Sequence, residues 1–307
     1  MSNANAKRYL VTGGAGFIGS TLVRRLLKDG HAVVVLDDLS TGDVSNVDAA
    51  ARLIRGSVLD EDALVGVGRV DGIFHLAAMS KVLPSLGDPN MANFCTEQNV
   101  LGTINVLKFA MSHDPPVKVV YSASSTCYGN GGVPQSETAA VACQTPYALS
   151  KYVGELYCAL FHDLYRVPSV RLRYFMVFGP GEPSLGSYAV VSGIFLKRRA
   201  EGKELVIHGD GSQSRDFVHV EDVCEANVRA MGADALVNAT INVGTGEAVT
   251  IQALADWIDP VHQRRTLARE HDLKATLCDT TLLQQTFGGW KPMRRIQDYV
   301  RERLDSM

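Results

Sequence analysis

Three polar side chains have the types and spacing of an acid/base centre. Tyr147 and Lys151 are four residues apart in a stretch that predicts a helix over 147–165, which places phenol and ammonium on one face, one turn apart. A free tyrosine, with a pKa of about 10, is a poor base at neutral pH, but a nearby ammonium favours the phenolate. Ser124 follows a predicted strand over 117–122, at the edge where parallel sheets bind ligands. The pattern therefore predicts that Tyr147 is a general base.

A glycine-rich turn lies near the start of the chain. Gly13, Gly16 and Gly19 stand between a predicted strand over 9–12 and an amphipathic helix over 17–28. Glycine permits a tight turn and lets the backbone approach a pyrophosphate, whose charge is stabilised by the free N–H groups of the helix N-terminus. Because a strand precedes the turn and a helix follows it, we interpret it as a dinucleotide-binding turn rather than a purely structural one.

An acidic residue indicates which dinucleotide binds. Asp37 ends the next predicted strand, over 32–37, eighteen residues after Gly19. A carboxylate at this point accepts hydrogen bonds from the adenosine ribose and repels a 2′-phosphate, which favours NAD over NADP. The alternative is that Asp37 only shapes the turn that follows. The positive nicotinamide of NAD would also favour the Tyr147 phenolate.

Alternating strands and helices must position these groups. Further apolar runs predict strands over 72–78 and 169–175 and a helix over 93–112, and short pieces such as 204–208 follow later in the chain. Runs such as AVVVLD and VKVVYS suit strands that are buried on both faces of a parallel sheet. The predicted fold class is α/β: a Rossmann-type, doubly wound parallel sheet with a smaller, irregular C-terminal α/β substrate region.

Prolines and glycines interrupt the alternation after about residue 176. We therefore expect an NAD-binding Rossmann domain over 1–175, to which later segments near 215–245 return. The region over 176–307 is expected to be mainly substrate-binding.

Composition excludes several classes of function. A net charge of −3 and a pI near 6.2 give no electrostatic case for a nucleic-acid or anionic-membrane partner. No apolar run approaches the roughly 18 to 20 residues that span a bilayer, and the polar N-terminus does not predict a secretory signal. Six dispersed cysteines lack the spacing of metal ligands, so no metal is expected. These features are typical of a cytoplasmic protein.

Nine stretches carry a resemblance to a known family. In chain order they are TGGAGFIGS (12–20), DDLSTG (37–42), HLAA (75–78), NVLGTINVL (99–107), SASSTCYG (122–129), YALSKYVGE (147–155), RDFVHVEDV (215–223), NVGTG (242–246) and GGWKP (288–292). Through them the chain resembles the extended short-chain dehydrogenases/reductases, in particular nucleotide-sugar 4-epimerases of the UDP-glucose 4-epimerase type. The resemblance covers nearly the whole chain and is less specific for the substrate than for the family.

The resemblance implies a set of site residues. Tyr147 would deprotonate the C4 hydroxyl of a nucleotide sugar, Ser124 would hydrogen-bond the same hydroxyl, and Lys151 would lower the tyrosine pKa and hold the nicotinamide ribose. The expected NAD contacts are Gly13, Gly16, Phe17, Ile18, Gly19, Asp37, Asp38, Leu39, Ser40, Gly42, Ser57, Val58, Leu76, Ala77, Ala78, Asn99, Ser122, Tyr147, Lys151 and Tyr174. The expected substrate contacts are Ser124, Thr126, Tyr147, Met176, Arg215, Arg269, Asp272 and Thr276.

On the substrate side the resemblance assigns individual roles. Arg215 and Arg269 would clamp the nucleotide diphosphate, and two guanidiniums can each bind it bidentately. Asp272 would contact the nucleoside ribose. The small Thr276 stands where the family limits a bulky 2-N-acetyl group, so the acetamide is expected to be tolerated.

Departures from the family pattern affect the substrate more than the acid/base centre. Met176 replaces an asparagine that contacts the diphosphate, and methionine cannot supply that donor. Ser57 replaces an aspartate that binds the adenine amino group, and Ser80 stands where one branch has a lysine.

The loop Ser125-Thr126-Cys127 lacks the carboxylate that related dehydratases and decarboxylases carry before their Tyr-Gly. This favours epimerisation through a transient 4-keto sugar, with UDP-glucose/galactose or the N-acetylated pair as substrate. The alternatives are another epimerase of the family, a net nucleotide-sugar oxidoreductase, and a non-catalytic NAD-binding protein. A homodimer through the helices over 93–112 and 147–165 is also expected, with Val106, Phe109, Leu156 and Leu160 as apolar contacts.

Overall fold

The computed structural model describes residues 6–80, 88–186, 189–269 and 272–307. Their contacts divide the chain into two compact units. The first comprises Met1–Ser124, Thr145–Arg173 and Cys224–Ile241, and the second comprises Ser125–Gln144, Tyr174–Val223 and Asn242–Met307. Residues 125–144, which the sequence-based boundary assigned to the first domain, pack with the second unit because Gln135 bonds to Leu277 and Asp279 through its backbone. The functional division into an NAD-binding and a substrate-binding part stays a prediction.

A seven-stranded sheet organises the glycine turn and the predicted acid/base residues. Its strands are β1 (Arg8–Thr12), β2 (Ala32–Asp37), β3 (Arg52–Arg55), β4 (Gly72–His75), β5 (Val119–Ser124), β6 (Ser169–Tyr174) and β10 (Asn238–Val243). They lie in the order β10-β6-β5-β4-β1-β2-β3, and β1 pairs in parallel with both β2 and β4. The order reverses beside β1, as in a Rossmann sheet, where ligands bind at the carboxyl ends of the strands. The predicted fold class is confirmed.

Helices cover this sheet. They are α1 (Phe17–Lys28), α2 (Glu61–Val65), α3 (Asn90–Cys95), a π-helical segment (Thr96–Leu101), α4 (Gly102–Met111), α5 (Pro146–Tyr165) and the later α7 (Val220–Gly232). One face of α4 packs Val106, Leu107 and Ala110 into a core that includes Ile73 and Tyr121. The apolar strand centres are buried on both faces, which is why their sequences show no alternation.

Several predicted boundaries need correction. The strand predicted over 72–78 ends at His75. The Leu76 N–H still donates to the Thr12 carbonyl, whereas the Ala77 N–H donates to the Thr12 hydroxyl instead. The strand predicted over 117–122 runs from Val119 to Ser124, so Ser124 is its last residue rather than part of the following loop. The helix predicted over 93–112 contains the π-helical segment. The elements predicted over 17–28 and 32–37 have those limits in the structure.

The second unit is built from short elements. They are β7 (Met176–Phe178), α6 (Val191–Ala200), β8 (Leu205–His208), β9 (Ser214–His219), β11 (Ala248–Thr250), α8 (Ile251–Ile258), β12 (Gln263–Thr266), α9 (Thr281–Thr286) and α10 (Ile296–Asp305). They form a three-stranded sheet in the order β11-β9-β7 and a two-stranded sheet of β12 and β8. Phe178, Phe195, Phe217, Leu254 and Ile296 are among the buried side chains of its core.

Within the described ranges, no helix combines the length and apolar character that a membrane span requires. In the same residues, His, Cys, Asp and Glu side chains form no group of three that could hold a metal ion.

Candidate functional site

The glycine turn leaves the N-terminus of α1 open. The N-cap residue is Gly16, and no side chain caps the first turn of the helix. Gly13 has a φ of +71°, and a Cβ on it would lie 2.7 Å from the backbone N of Ala77. A Cβ on Gly19 would lie 2.1 Å from the carbonyl O of Gly13. The positions therefore require glycine, and the bare turn before the helix fits the pyrophosphate of a dinucleotide.

Asp37, at the end of β2, stabilises this turn through hydrogen bonds. Its Oδ2 accepts a hydrogen bond from the N–H of Ala15 at 2.9 Å, and its Oδ1 accepts one from the N–H of Leu39 at 2.9 Å. Leu39 has a φ of +59°, so the chain turns sharply directly after the carboxylate. Each carboxylate oxygen has further acceptor capacity for ribose hydroxyls. Asp37 thus shapes the turn, as one interpretation held, in a way that is compatible with the predicted ribose contact.

The other predicted NAD contacts follow strand ends. Ser57 lies after β3, and its Oγ accepts from the N–H of Leu59 at 3.1 Å, which leaves a second lone pair. The remaining predicted contacts of the first unit are Phe17, Ile18, Asp38, Ser40, Gly42, Val58, Leu76, Ala77, Ala78 and Ser122. Tyr174, the last residue of β6, falls in the second unit. None of these contacts is tested by the structure alone, so they stay predictions.

A buried histidine links the strand ends below the turn. The Thr12 Oγ1 accepts hydrogen bonds from Leu76 and Ala77 at 3.2 and 3.1 Å, so its own proton points to Nδ1 of His75, 2.8 Å away. The His75 Nε2 then carries the ring proton and donates to Thr103 Oγ1 at 3.1 Å, which donates to the Asn99 carbonyl at 2.6 Å. Burial and the charge of Lys151 lower the pKa of His75 to about 3, so the ring is neutral.

Asn99 extends this series of hydrogen bonds to α5, the helix that carries Tyr147. It lies in the π-helical segment, and its side chain exchanges hydrogen bonds with the N–H and carbonyl of Met79 at 2.7 and 2.9 Å. Its Nδ2 also donates to Ser150 Oγ at 2.8 Å, and that hydroxyl donates to the Tyr147 carbonyl at 2.9 Å. A π-turn often marks a functional site, and here it directs the Asn99 amide toward α5.

Tyr147 and Lys151 lie in the first turns of α5, as predicted. Thr145 caps the helix by accepting from the N–H of Ala148, which fixes the start of α5 one residue before Tyr147. Lys151 is 4% exposed, and its Nζ lies 4.3 Å from the centre of the Tyr121 ring. Burial lowers the pKa of Lys151 to about 8. A lysine in such a setting is a candidate for chemistry, because packing alone would favour an apolar residue.

Close packing of α5 on β5 brings the lysine to the strand ends. A Cβ on Gly154 would lie 2.3 Å from the Tyr121 hydroxyl, which itself donates to the Lys151 carbonyl at 3.1 Å. Ser124 is buried at the carboxyl end of β5, and Tyr147 is half-buried. All three predicted catalytic residues therefore belong to the first unit, which also contains the glycine turn. The arrangement can hold and transfer a proton beside a dinucleotide.

In the second unit, two arginines lie around one carboxylate and one histidine. The Arg215 Nη2 donates to Asp272 Oδ1 at 2.6 Å, and its Nη1 donates to the Ser214 carbonyl at 2.8 Å. The Arg269 Nη2 lies 2.8 Å from Nε2 of His208. Burial lowers the pKa of Arg215, whose side chain is far less exposed than that of Asp272. The structure thus places three predicted substrate residues with a histidine that the sequence did not single out.

The other predicted substrate residues are spread through the second unit. Thr276 is buried, and its Oγ1 accepts a hydrogen bond from the N–H of Asp216 at 3.2 Å. Met176 opens β7 and pairs with Phe217 of β9. Thr126 lies in a 3₁₀ turn and is half-buried. Their contacts with a substrate stay predictions.

Asp216 was missed by the sequence reasoning although it follows Arg215. Its carboxylate accepts four hydrogen bonds: the Thr245 N–H and hydroxyl, the Gly246 N–H and the Cys278 N–H. These donors come from two loops that are distant in sequence, one of which carries Thr276. The acid in RDFVHVEDV was a visible signal, but its partners became apparent only in the folded chain.

Comparison with known proteins identifies the family of the chain. Residues 9–244 match the model of the NAD dependent epimerase/dehydratase family. The chain is 36% identical over 306 residues to a putative UDP-glucose 4-epimerase of Methanocaldococcus jannaschii, with 97% of each chain covered.

Two solved structures share the fold at similar identity. The UDP-N-acetylglucosamine 4-epimerase of Methanobrevibacter ruminantium M1, in complex with UDP-N-acetylmuramic acid, has a TM-score of 0.89 at 31% identity and covers 98% of this chain and 99% of its own. The UDP-glucose 4-epimerase of Thermotoga maritima, with UDP-glucose, has a TM-score of 0.90 at 31% identity and covers 97% of each chain.

Proposed function

The chain belongs to the NAD dependent epimerase/dehydratase family, and on that premise we propose that it is a nucleotide-sugar 4-epimerase acting on UDP-glucose/galactose or on the N-acetylated pair. The observation that carries the proposal is the buried Lys151 ammonium one helical turn after Tyr147. A buried cation costs stability, so its presence indicates a function, and its charge would favour a phenolate next to it.

The glycine turn fits the NAD that the family implies. A side chain at Gly13 or Gly19 would overlap the backbone, and the first turn of α1 has no side-chain cap. We propose that this turn holds the pyrophosphate, that Asp37 holds the adenosine ribose, and that Lys151 holds the nicotinamide ribose. When bound, NAD supplies the hydride acceptor and donor that inversion at a sugar carbon needs.

The proton chemistry belongs to the side chains of the first unit. Tyr147 Oη removes the proton of the C4 hydroxyl and later returns it, and Ser124 Oγ hydrogen-bonds the same sugar oxygen. The Lys151 ammonium favours the phenolate through its charge. Asn99 and Ser150 hold the start of α5 through the Tyr147 carbonyl, so the phenol is presented at a fixed place.

Epimerisation is favoured over elimination by what the loop 125–127 lacks. A dehydratase or decarboxylase needs an additional acid/base group, and this loop supplies only two hydroxyls and a thiol. The second candidate is a net oxidoreductase, which would use the same Tyr147 and Lys151 with an exchangeable cofactor. The third is a non-catalytic NAD-binding protein, which would not need them.

One experiment separates these functions. The purified protein is incubated separately with UDP-glucose and UDP-N-acetylglucosamine, the products are separated by chromatography, and the absorbance of NADH is followed. We expect the C4 epimer of at least one sugar and no accumulation of NADH. Accumulating NADH would indicate the oxidoreductase, and bound NAD without turnover of either sugar would indicate the binding protein.

A homodimer is proposed on an apolar stripe of α5. Leu149, Leu156, Leu160 and Leu164 recur at helical spacing and are each 46–60% exposed, beside α4. Val106 and Phe109, which the sequence analysis also assigned to this interface, are buried in the core of the first unit and cannot contribute. In their place the proposed interface includes two exposed apolar residues, Phe94 of α3 and Leu101 of the π-helical segment.

We expect light scattering at micromolar concentration to give twice the mass of the chain. The variant Leu156→Glu/Leu160→Glu should be a monomer, because two buried carboxylates would face their copies across a two-fold axis. Leu267→Glu, at a 91% exposed leucine of the second unit, is the matched control and should leave the dimer intact. A monomeric wild-type protein would contradict the proposal.

Tolerance of a 2-N-acetyl group is proposed from the small Thr276. We expect the wild type to epimerise UDP-N-acetylglucosamine, and Thr276→Tyr to lower kcat/KM for this sugar more than for UDP-glucose. The volume that tyrosine adds over threonine is about that of the acetamido group, and dense packing makes an overlap prohibitive.

The Thr276 experiment compares two sugars on one enzyme. Thr276 is buried and bonds to Asp216, so the tyrosine also weakens the fold. A loss of folded enzyme lowers kcat/KM for both sugars by the same factor and therefore cancels in the ratio of the two values. Thr276→Val, of nearly the same size, is the control for the lost hydroxyl and should leave the ratio unchanged. An equal loss for both sugars in the tyrosine variant would show that Thr276 does not limit the sugar.

A further inference from the structure

His208 lies at the end of β8 between two partners. Its Nδ1 is 2.9 Å from Thr266 Oγ1, on the paired strand β12, and its Nε2 is 2.8 Å from Nη2 of Arg269. The ring is half-buried, while Arg269 is exposed. The histidine is therefore tied to the sheet on one side and to a surface guanidinium on the other.

The Arg269 contact fixes the protonation of the ring. A guanidinium can only donate, so Nε2 must accept and cannot carry a proton. The ring proton is then on Nδ1 and is donated to the Thr266 hydroxyl. Burial and then the Arg269 charge lower the pKa of His208, and the Arg264 charge adds a smaller lowering. A hydrogen bond to the Leu267 backbone and the charge of Asp272 oppose them. The neutral ring thus orients Arg269 without neutralising it.

Arg269 and Arg215 differ in their charged partners. In the residues that the structure describes, Arg269 forms no ion pair, whereas Arg215 is paired with Asp272 at 2.6 Å. Asp272 also acts on His208, so both arginines, the carboxylate and the histidine lie in one cluster of the second unit. An oriented guanidinium without a carboxylate partner is prepared to bind an anionic ligand.

We propose that His208 is a positioning residue that holds Arg269 ready for the diphosphate of the nucleotide sugar. The proposal rests on the proposed function, because it takes the anion to be that diphosphate. His208 does not touch the reacting sugar carbon. Its loss should therefore weaken binding of the nucleotide sugar and leave the chemical step unchanged.

Two isosteric variants separate the contacts of the ring. In His208→Gln the amide oxygen reaches the place of Nε2 and can accept from Arg269, whereas in His208→Asn the shorter side chain reaches only the place of Nδ1. We expect KM for the nucleotide sugar to rise on the order of tenfold in His208→Asn, the effect of losing one charge-assisted hydrogen bond. His208→Gln should stay near the wild-type KM, and kcat should be unchanged in both.

A double-mutant cycle with Arg269→Ala tests that His208 acts through Arg269. His208→Asn should raise KM in the wild-type background and have no further effect in Arg269→Ala. Equal effects of His208→Asn in the two backgrounds, or an unchanged KM in the single variant, would overturn the proposal. His262→Asn, at the exposed histidine before β12, is the matched control and should leave KM unchanged.

Direct titration with UDP keeps this test separate from the test of catalysis. UDP carries the diphosphate but no sugar to epimerise, so its Kd should follow the same pattern as KM. If the wild type epimerises no sugar but UDP affinity falls in His208→Asn and is restored in His208→Gln, the proposed epimerase fails and the positioning role stands. If sugars are epimerised and neither KM nor Kd responds, the positioning role fails alone.

Discussion

Tyr147→Phe should lower the turnover of the nucleotide sugar by about a hundred- to ten-thousandfold while NAD stays bound. This is the usual contribution of a positioned general base, which phenylalanine cannot supply. The ring remains to fill its half-buried place, and the hydrogen bond from Ser150 goes to the Tyr147 backbone, so the start of α5 is retained. The measurement is kcat from product chromatography, with the bound NAD quantified after acid release.

The matched control for this variant is Tyr157→Phe. Tyr157 is a partly buried tyrosine of the same helix that packs on the core of the first unit, so it loses a hydroxyl in a similar setting without touching the proposed chemistry. We expect it to keep kcat near the wild-type value. A Tyr147→Phe enzyme that retained more than about a tenth of the wild-type rate would show that another group is the base.

Local spacing explains what the sequence could predict. One turn contains Gly13, Gly16 and Gly19, and one helical face carries Tyr147 and Lys151. Each of these two geometries is therefore determined by a short, continuous segment of the chain. The continuous apolar run AVVVLD likewise predicted, from one short segment, that β2 is buried. Asp37 could be assigned because a doubly wound sheet puts the end of its second strand next to the turn that follows the first.

Contacts between distant segments could not be read in this way. Thr12 and Thr103 meet across His75 although they are far apart in the chain, and their lone pairs decide where the ring proton lies. The π-helical segment that directs Asn99 has no signal in residue type. Arg269 and His208 are 61 residues apart in the sequence. The residues around each one therefore do not predict that the two side chains are in contact.

Periodicity also fails to show whether the apolar face of a helix packs on its own sheet or on a partner chain. Val106 and Phe109 matched the pattern of an interface as well as Leu156 and Leu160 did, yet the first two are buried in the unit's own core. An apolar residue of an outer helix can face the sheet or a partner chain, and only the packing of α4 on β4 and α5 decides which.

Lys151→Met should make the NAD-free protein more stable at pH 7 by about 3 kcal/mol and lower turnover by on the order of a hundredfold or more. Lys151 is 4% exposed, and burial lowers the pKa of its ammonium from the usual 10.5 to about 8. One pKa unit corresponds to about 1.4 kcal/mol, so the folded chain is destabilised at pH 7 by holding a buried charge. Methionine fills a similar volume without that charge.

The pH dependence of this gain follows from the direction of the shift. Below pH 8 the lysine is protonated in both the folded and the unfolded chain, and the penalty is fully present. Between pH 8 and about 10.5 the unfolded chain binds a proton that the folded chain does not, so the stability of the wild type rises with pH. The advantage of Lys151→Met should therefore be about 2 kcal/mol smaller at pH 9.5 than at pH 7.

Urea unfolding at the two pH values measures both quantities, and epimer formation measures the loss of function. Lys28→Met, at an exposed lysine at the end of α1, is the matched control and should change neither stability nor its pH dependence. If Lys151→Met were no more stable than the wild type, or equally favoured at both pH values, the ammonium would not be held at a cost to the fold. If it were more stable and still fully active, the cation would have no part in the chemistry. A stable, inactive variant is the result expected of a lysine that is buried for its effect on Tyr147.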